Sequence, residues 1–336
     1  MGNNEFVHYE SKTCFCEFIS IKNVLCFIYV YHAKLISYDV INKKILTEIY
    51  FAQDFDDISD IRHCLDKINK RDLILSCRKV SDIINVWDFK NWEKIIEINP
   101  VNKNGALYSS CFFNDNNKNI YILTSNIEWN NNISNIKVFD LKKNKIKEIN
   151  DSKKNVIYID TYFDSKLDKN LIVTCNENSN ITFYDFYKNF LYKNFIDNDK
   201  GSLYLINDYI IYEKDEIKQL IGSCEKGYIK IWDYDRIQLI KRIQLKKFGN
   251  IYGLGLLNNQ YILGGINCGI FIYDLINGKI IKIINGHKDK VKFIKLINIE
   301  NEEIIVSGGF HADIIFWENK NFEFNIKNRI KNNEYK

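Results

Sequence analysis

A short alternating apolar run that ends in an aromatic residue and an acid returns seven times along this chain, and it constrains the fold more than any other feature. The runs end at Tyr38-Asp39, Trp87-Asp88, Phe139-Asp140, Tyr184-Asp185, Trp232-Asp233, Tyr273-Asp274 and Trp317-Glu318. Successive acids stand 49, 52, 45, 48, 41 and 44 residues apart. Alternation with period two puts every second side chain on one face of a strand. A strand repeat of this length marks a radial array rather than a set of unrelated domains.

The flanks of each run supply three more strands. After the acid comes a polar turn and a second apolar run, clearest at Asp274-Leu275-Ile276-Asn277-Gly278-Lys279, where Asn-Gly is a strong hairpin signal. Upstream lies an apolar run ending in small residues, such as Ile304-Ile305-Val306-Ser307-Gly308-Gly309, preceded by another such as Val291 to Ile297. A lone four-stranded sheet leaves apolar faces uncovered, and radial stacking covers them. The reading is therefore all-β: residues 1–336 as a single seven-bladed β-propeller of four-stranded antiparallel blades, with a short polar tail from about residue 329. The hydrophobic fraction of 46%, with 21 Tyr and 22 Phe, suffices for such a core. With one Pro and 15 Gly, turns must rest on Asn and Asp. Asn-rich residues 125–134 and residues 186–206 break the rhythm and read as loop insertions. The outer strand of the last blade has two candidates, Phe322 to Ile326 and Phe6 to Tyr9.

The last repeat resembles a WD40 repeat. Gly286-His287 stands 31 residues before Trp317, and Ser307 stands ten before it. The resemblance implies a structural hydrogen-bond network in which His287, Ser307 and Trp317 fill three roles. Its turn-aspartate position falls on His311, which implies a network without its carboxylate. Elsewhere the match is rhythmic, carried best by Trp232-Asp233 and Trp87-Asp88.

Signals for chemistry are weak. The five His (His8, His32, His63, His287, His311) form no metal-spaced pair, and no Cys-x-x-Cys occurs among nine Cys. His63 and Cys64 are strand neighbours facing opposite ways. Asp54, Asp56, Asp57 and Asp60 miss the calcium-loop pattern, since Ile58 takes a ligand place and Ser59 the Gly place; they read as a solvated loop. Cys77, Cys175, Cys224 and Cys268 recur near second strands and read as small buried apolar residues. No catalytic residue, metal site or cofactor is assigned, and the chain does not read as an enzyme.

Residues 1–10 carry no apolar leader segment, and the uncharged stretch from Phe248 to Tyr273 is too polar for a membrane span and reads as two strands. Unpaired Cys usage points to an intracellular compartment, cytoplasmic first and nuclear second. Net charge is +4 without a long basic run, which argues against nucleic acid. The expectation is a non-catalytic scaffold, a subunit or adaptor that binds proteins or peptides on the propeller rim, with no small-molecule substrate. The alternatives are a lipid- or nucleic-acid-binding adaptor, or an enzyme with its site in the central channel. In the family, the residue seven before the strand-c aromatic projects onto the rim; here these are Val80, Glu177, Glu225, Ile266 and Phe310, with Lys290 beside them. Ile266 and Phe310 are expected to form an apolar patch.

Overall fold

A computed structural model of the protein describes residues 16–21, 24–31, 34–50, 58–78, 81–101, 105–128, 133–151, 155–176, 180–188, 190–197, 206–214, 217–299, 302–309, 313–320 and 322–330. The described chain is almost wholly strand. The first sheet is β1 (Cys16–Ile21), β2 (Val24–Tyr31), β3 (Lys34–Asp39) and β4 (Lys44–Tyr50). The second is β5 (Ile58–Asp66), β6 (Arg71–Arg78), β7 (Ile83–Asp88) and β8 (Lys94–Ile98). The third is β9 (Gly105–Asn114), β10 (Ile120–Glu128), β11 (Ile133–Asp140) and β12 (Lys145–Asp151). The fourth is β13 (Val156–Asp164), β14 (Lys169–Asn176), β15 (Ile181–Asp185) and β16 (Phe190–Phe195). The fifth is β17 (Ile206–Lys214), β18 (Ile217–Cys224), β19 (Tyr228–Asp233) and β20 (Gln238–Gln244). The sixth has six strands: β21 (Leu254–Leu257), β22 (Tyr261–Asp274), β23 (Lys279–Ile299), β24 (Glu302–Gly309), β25 (Ile314–Lys320) and β26 (Glu323–Ile330). Among the described residues the strands pair antiparallel with their neighbours in the chain.

The architecture is a β-propeller of antiparallel sheets, five of them four-stranded. The expected seven separate blades are replaced by six sheets, because the last two repeats share continuous strands. β22 holds the second and third strands of the sixth repeat: Leu275 N–H donates to Gln260 O at 3.1 Å, so the strand doubles back near Cys268, whose φ is +64°. β23 pairs with β22 over Lys279 to Asn285, and beyond Lys290 it turns to β24.

The acid of the repeat has a local cause. Asp39 Oδ1 accepts the main-chain N–H of Ile41 and Asn42, and Asp140, Asp185, Asp233 and Asp274 cap their turns in the same way. Such Asx caps tie the third strand to the fourth. Glu318 is one methylene too long for this; Asn319 accepts Phe322 N–H instead.

Between sheets lies the core. Seven clusters of buried side chains join consecutive repeats around the molecule. The closing cluster packs Phe27, Tyr29 and Tyr38 of the first sheet against Phe293, Val306 and Phe316 of the last, and Asn328 donates to Tyr38 Oη at 3.3 Å. β26 occupies the outer-strand place beside β25, so Glu323–Ile330 fills it and the polar tail starts beyond Ile330. The alternative segment, Phe6 to Tyr9, lies outside the described residues. Of the expected insertion at 125–134, residues 125–128 and 133–134 belong to β10 and β11 and 129–132 lie outside the described residues; residues 186–206 contain β16, and 189 and 198–205 lie outside the described residues.

Candidate interaction surface

The last repeat shows how a polar network fixes the loops that leave the strands. Trp317 is 2% exposed, and its indole N–H donates to Ser307 Oγ at 2.7 Å. Ser307 Oγ lies 2.7 Å from His287 Nε2. Trp can only donate, so Ser307 Oγ accepts from the indole, and the other imidazole nitrogen of His287, Nδ1, faces outward. There Asp313 Oδ2 stands at 3.6 Å. A carboxylate therefore stands beside the imidazole, from Asp313 rather than from the expected position 311; His311 lies outside the described residues. Burial opposes ionisation of Asp313, but hydrogen bonds from His287 and Arg329 hold its carboxyl well below the usual range. Arg329 grips Asp313 with two nitrogens. Gly286 lies under the Trp317 ring, where a Cβ would stand 2.7 Å from the indole.

Trp87 and Trp232 hold the corresponding place in their own repeats. Trp87 N–H donates to Ser76 Oγ at 3.0 Å, and Trp232, beside Gly222, reaches only Ile196 O at 3.5 Å. Asp88 and Asp233 act as turn caps.

Of the residues expected on the rim, Glu225 sits half-buried in a short 3-10 turn, Glu225–Gly227, beside exposed Lys226. Lys290 is half-buried, with Nζ 5.4 Å from the centre of the Tyr252 ring; Lys292 is 5.5 Å from it. Lys246 and Lys247, in a 3-10 turn, and Lys288, in β23, are exposed. Ile266 is corrected: it is 5% exposed and packs with Ile262, Phe271 and Ile251, because the turn after it is tight and leaves it inside the strand. It offers no apolar patch. Val80, Glu177 and Phe310 lie outside the described residues.

The inner strands meet in a second polar cluster that the sequence reading missed. Arg62 of β5 donates to Tyr158 Oη at 2.7 Å on β13, and Tyr158 donates to Asp160 at 2.6 Å. Asp60 is fully buried, 3.9 Å from Arg62, and accepts Ser110 N–H. Asp60 is therefore no solvated loop residue; Asp54, Asp56 and Asp57 lie outside the described residues. Burial pushes the Tyr158 phenol far above its ordinary value, so it holds its proton. The cluster ties the second, third and fourth sheets together at their inner strands.

Cys64 and His63 also part company. Cys64 donates to Asn114 and burial pushes its thiol up to about 11, while His63 pairs with Asp72 at 2.7 Å. Cys77, Cys175 and Cys224 are buried as expected, but Cys268 is exposed at its turn. Among the described residues no group of His, Cys, Asp and Glu is placed to hold a metal ion, and no helix is long and apolar enough to cross a membrane. No protein-family model matches the chain, and no curated protein matches it.

Proposed function

We propose that this protein is a non-catalytic interaction scaffold, a WD40-like propeller of seven blades that binds one or more protein partners on its rim as a subunit or adaptor of an assembly. The seven-blade count is supported by the buried clusters: six join separate sheets, and the seventh packs Leu263, Ile270 and Ile272 against Ile305, Ile315 and Trp317 inside the six-stranded sheet. The observation that carries the functional reading is the rim itself. Glu225 and Lys226 stand on a short 3-10 turn tied to Asn250, and Lys288 and Lys290 lie on β23 where its pairing passes from β22 to β24, a set of charges presented on strand-anchored backbone. A second reading, an adaptor for a phosphate-bearing lipid or nucleic acid, draws support from the lysines gathered around Tyr252.

The experiment is affinity purification of the tagged protein from its own cells at low and moderate salt, with co-purifying molecules identified by mass spectrometry. The scaffold reading expects a stoichiometric protein set that survives moderate salt and is lost from a Glu225→Lys, Lys290→Glu variant. Lipid or nucleic acid released by salt would favour the second reading. A protein recovered alone would contradict both.

A further inference from the structure

Away from the rim, on the side where the first strands end and the outer turns lie, a cleft opens between the fifth sheet and the start of the sixth. Its volume is about 320 Å³, at the small end of ligand pockets. Four segments build it: the facing ends of β17 and β18, β19 with β20, the β21–β22 turn, and the turn after β22. Ile217, Ile240 and Ile276 line it while remaining 56%, 52% and 69% exposed. Single exposed apolar residues are ordinary, but three converging on one concavity form a patch of the kind that marks an interaction site.

A cation overlooks this patch. Lys241 also lines the cleft, and its Nζ lies 3.9 Å from the position a Cβ on Gly278 would take, so it reaches across from β20 to the neighbouring turn. Lys241 makes no hydrogen bond or ion pair among the described residues, unlike Lys193, Lys218 and Lys230 of the adjoining sheets, which each face an aspartate. The amides of Gln219 and Asn259 line the same walls and can meet a peptide backbone.

From these observations we infer that the cleft takes an extended peptide segment of a partner protein, with leucine-sized side chains beside an acidic residue. The isoleucines receive the apolar side chains, and Lys241 pairs with the acid. A nucleic acid would need several cations and a stacking face, whereas the cleft offers one cation and an aliphatic wall. This second binding surface is independent of the rim reading.

The test uses the full chain and fluorescein-labelled peptides read by anisotropy. The probe is Gly-Ser-Leu-Asp-Leu-Ser-Gly; controls replace its Asp by Asn or Lys, or both Leu by Ser. The Asp probe should bind saturably, and binding should weaken about tenfold for the Ser control and for Ile276→Ser, the scale of lost apolar contact in a pocket. Lys241→Glu should reverse the preference between the Asp and Lys probes. Both substituted residues are exposed, so melting temperature should not move. Absence of saturable binding, or binding that neither substitution alters, overturns the inference. Concentration-dependent self-association abolished by Ile276→Ser, without peptide binding, would assign the cleft to a second copy and also overturn it. Lys290→Glu should leave peptide binding unchanged, so the two surfaces succeed or fail separately.

Discussion

The fifth sheet and the last four strands anchor a tryptophan at the same register, with different chemistry around it. In both, an arginine of the outer strand stands opposite the residue two before the tryptophan: Arg242 opposite Lys230, and Arg329 opposite Ile315. Each arginine forks onto a carboxylate. Arg329 takes Asp313, from the turn just before its own third strand, and Asp313 continues into His287, Ser307 and Trp317. Arg242 takes Asp197, from the end of the preceding sheet, and Asp197 is shared with Lys230, 3.1 Å away. Lys230 and Asp197 have fully buried side chains, while that of Asp313 is 16% exposed. The fold thus fixes where a clamp must sit, joining a loop to the sheet it enters. It leaves open whether the clamp is an imidazole relay or an ion triad. A motif defined by residue types finds one and passes over the other.

The comparison can be broken, starting with the largest effects. Trp317→Ala should cost about 3–5 kcal/mol, as for other buried large aromatics, and Trp232→Ala should fall in the same range. Thermal or urea unfolding reads both. Indifference at either position would show that the two tryptophans are not equivalent anchors. Asp197→Ala should cost about 3–5 kcal/mol, because it takes a buried carboxylate away from the buried ammonium of Lys230. Asp313→Ala should cost less, since Arg329 keeps some access to water. A reversed order would sink the burial argument.

A smaller effect depends on pH. The carboxyl of Asp313 is held below its unfolded value of about 4. Its contribution is then complete above that value and fades as pH falls towards the folded value. The gap in melting temperature between the native chain and Asp313→Asn should therefore narrow as pH is lowered from neutral. Asp274, held down to about 2 by hydrogen bonds from Asn277 and Gln260 despite some burial, should behave with the same sign. A gap that widens in acid would contradict the assignment. The smallest change is Ser76→Ala. It removes one hydrogen bond to Trp87 and should cost about 1 kcal/mol, less than Ser307→Ala, which orphans both Trp317 and His287.

Much of the scaffold was legible because strand period and turn chemistry are local. The aromatic-acid pair marks a buried ring followed by a turn cap, and both can be read within six residues. Sites depend on what lies next to what, and there spacing misled. It placed the relay carboxylate at 311 rather than 313, because a turn of unknown length intervenes. It placed Ile266 on the rim, although the following turn keeps it in the core. Lys230, Asp197 and Arg242 looked like ordinary charges, since nothing in a linear reading reveals a triad spread over two sheets. Ile217, Ile240 and Ile276 likewise meet only in the folded chain. Cys268 followed the spacing of buried cysteines yet stands at an exposed turn.

The claim that one structural position carries two interchangeable clamps is tested most directly by paired double-mutant cycles. These would be Arg242→Ala with Asp197→Ala, and Arg329→Ala with Asp313→Ala, all followed by equilibrium unfolding. The account predicts favourable coupling in both, about 1–3 kcal/mol on the scale of contacting charged pairs, with the larger value in the more buried triad. Coupling near zero in either cycle would mean that its arginine fork holds nothing, and the equivalence would fall.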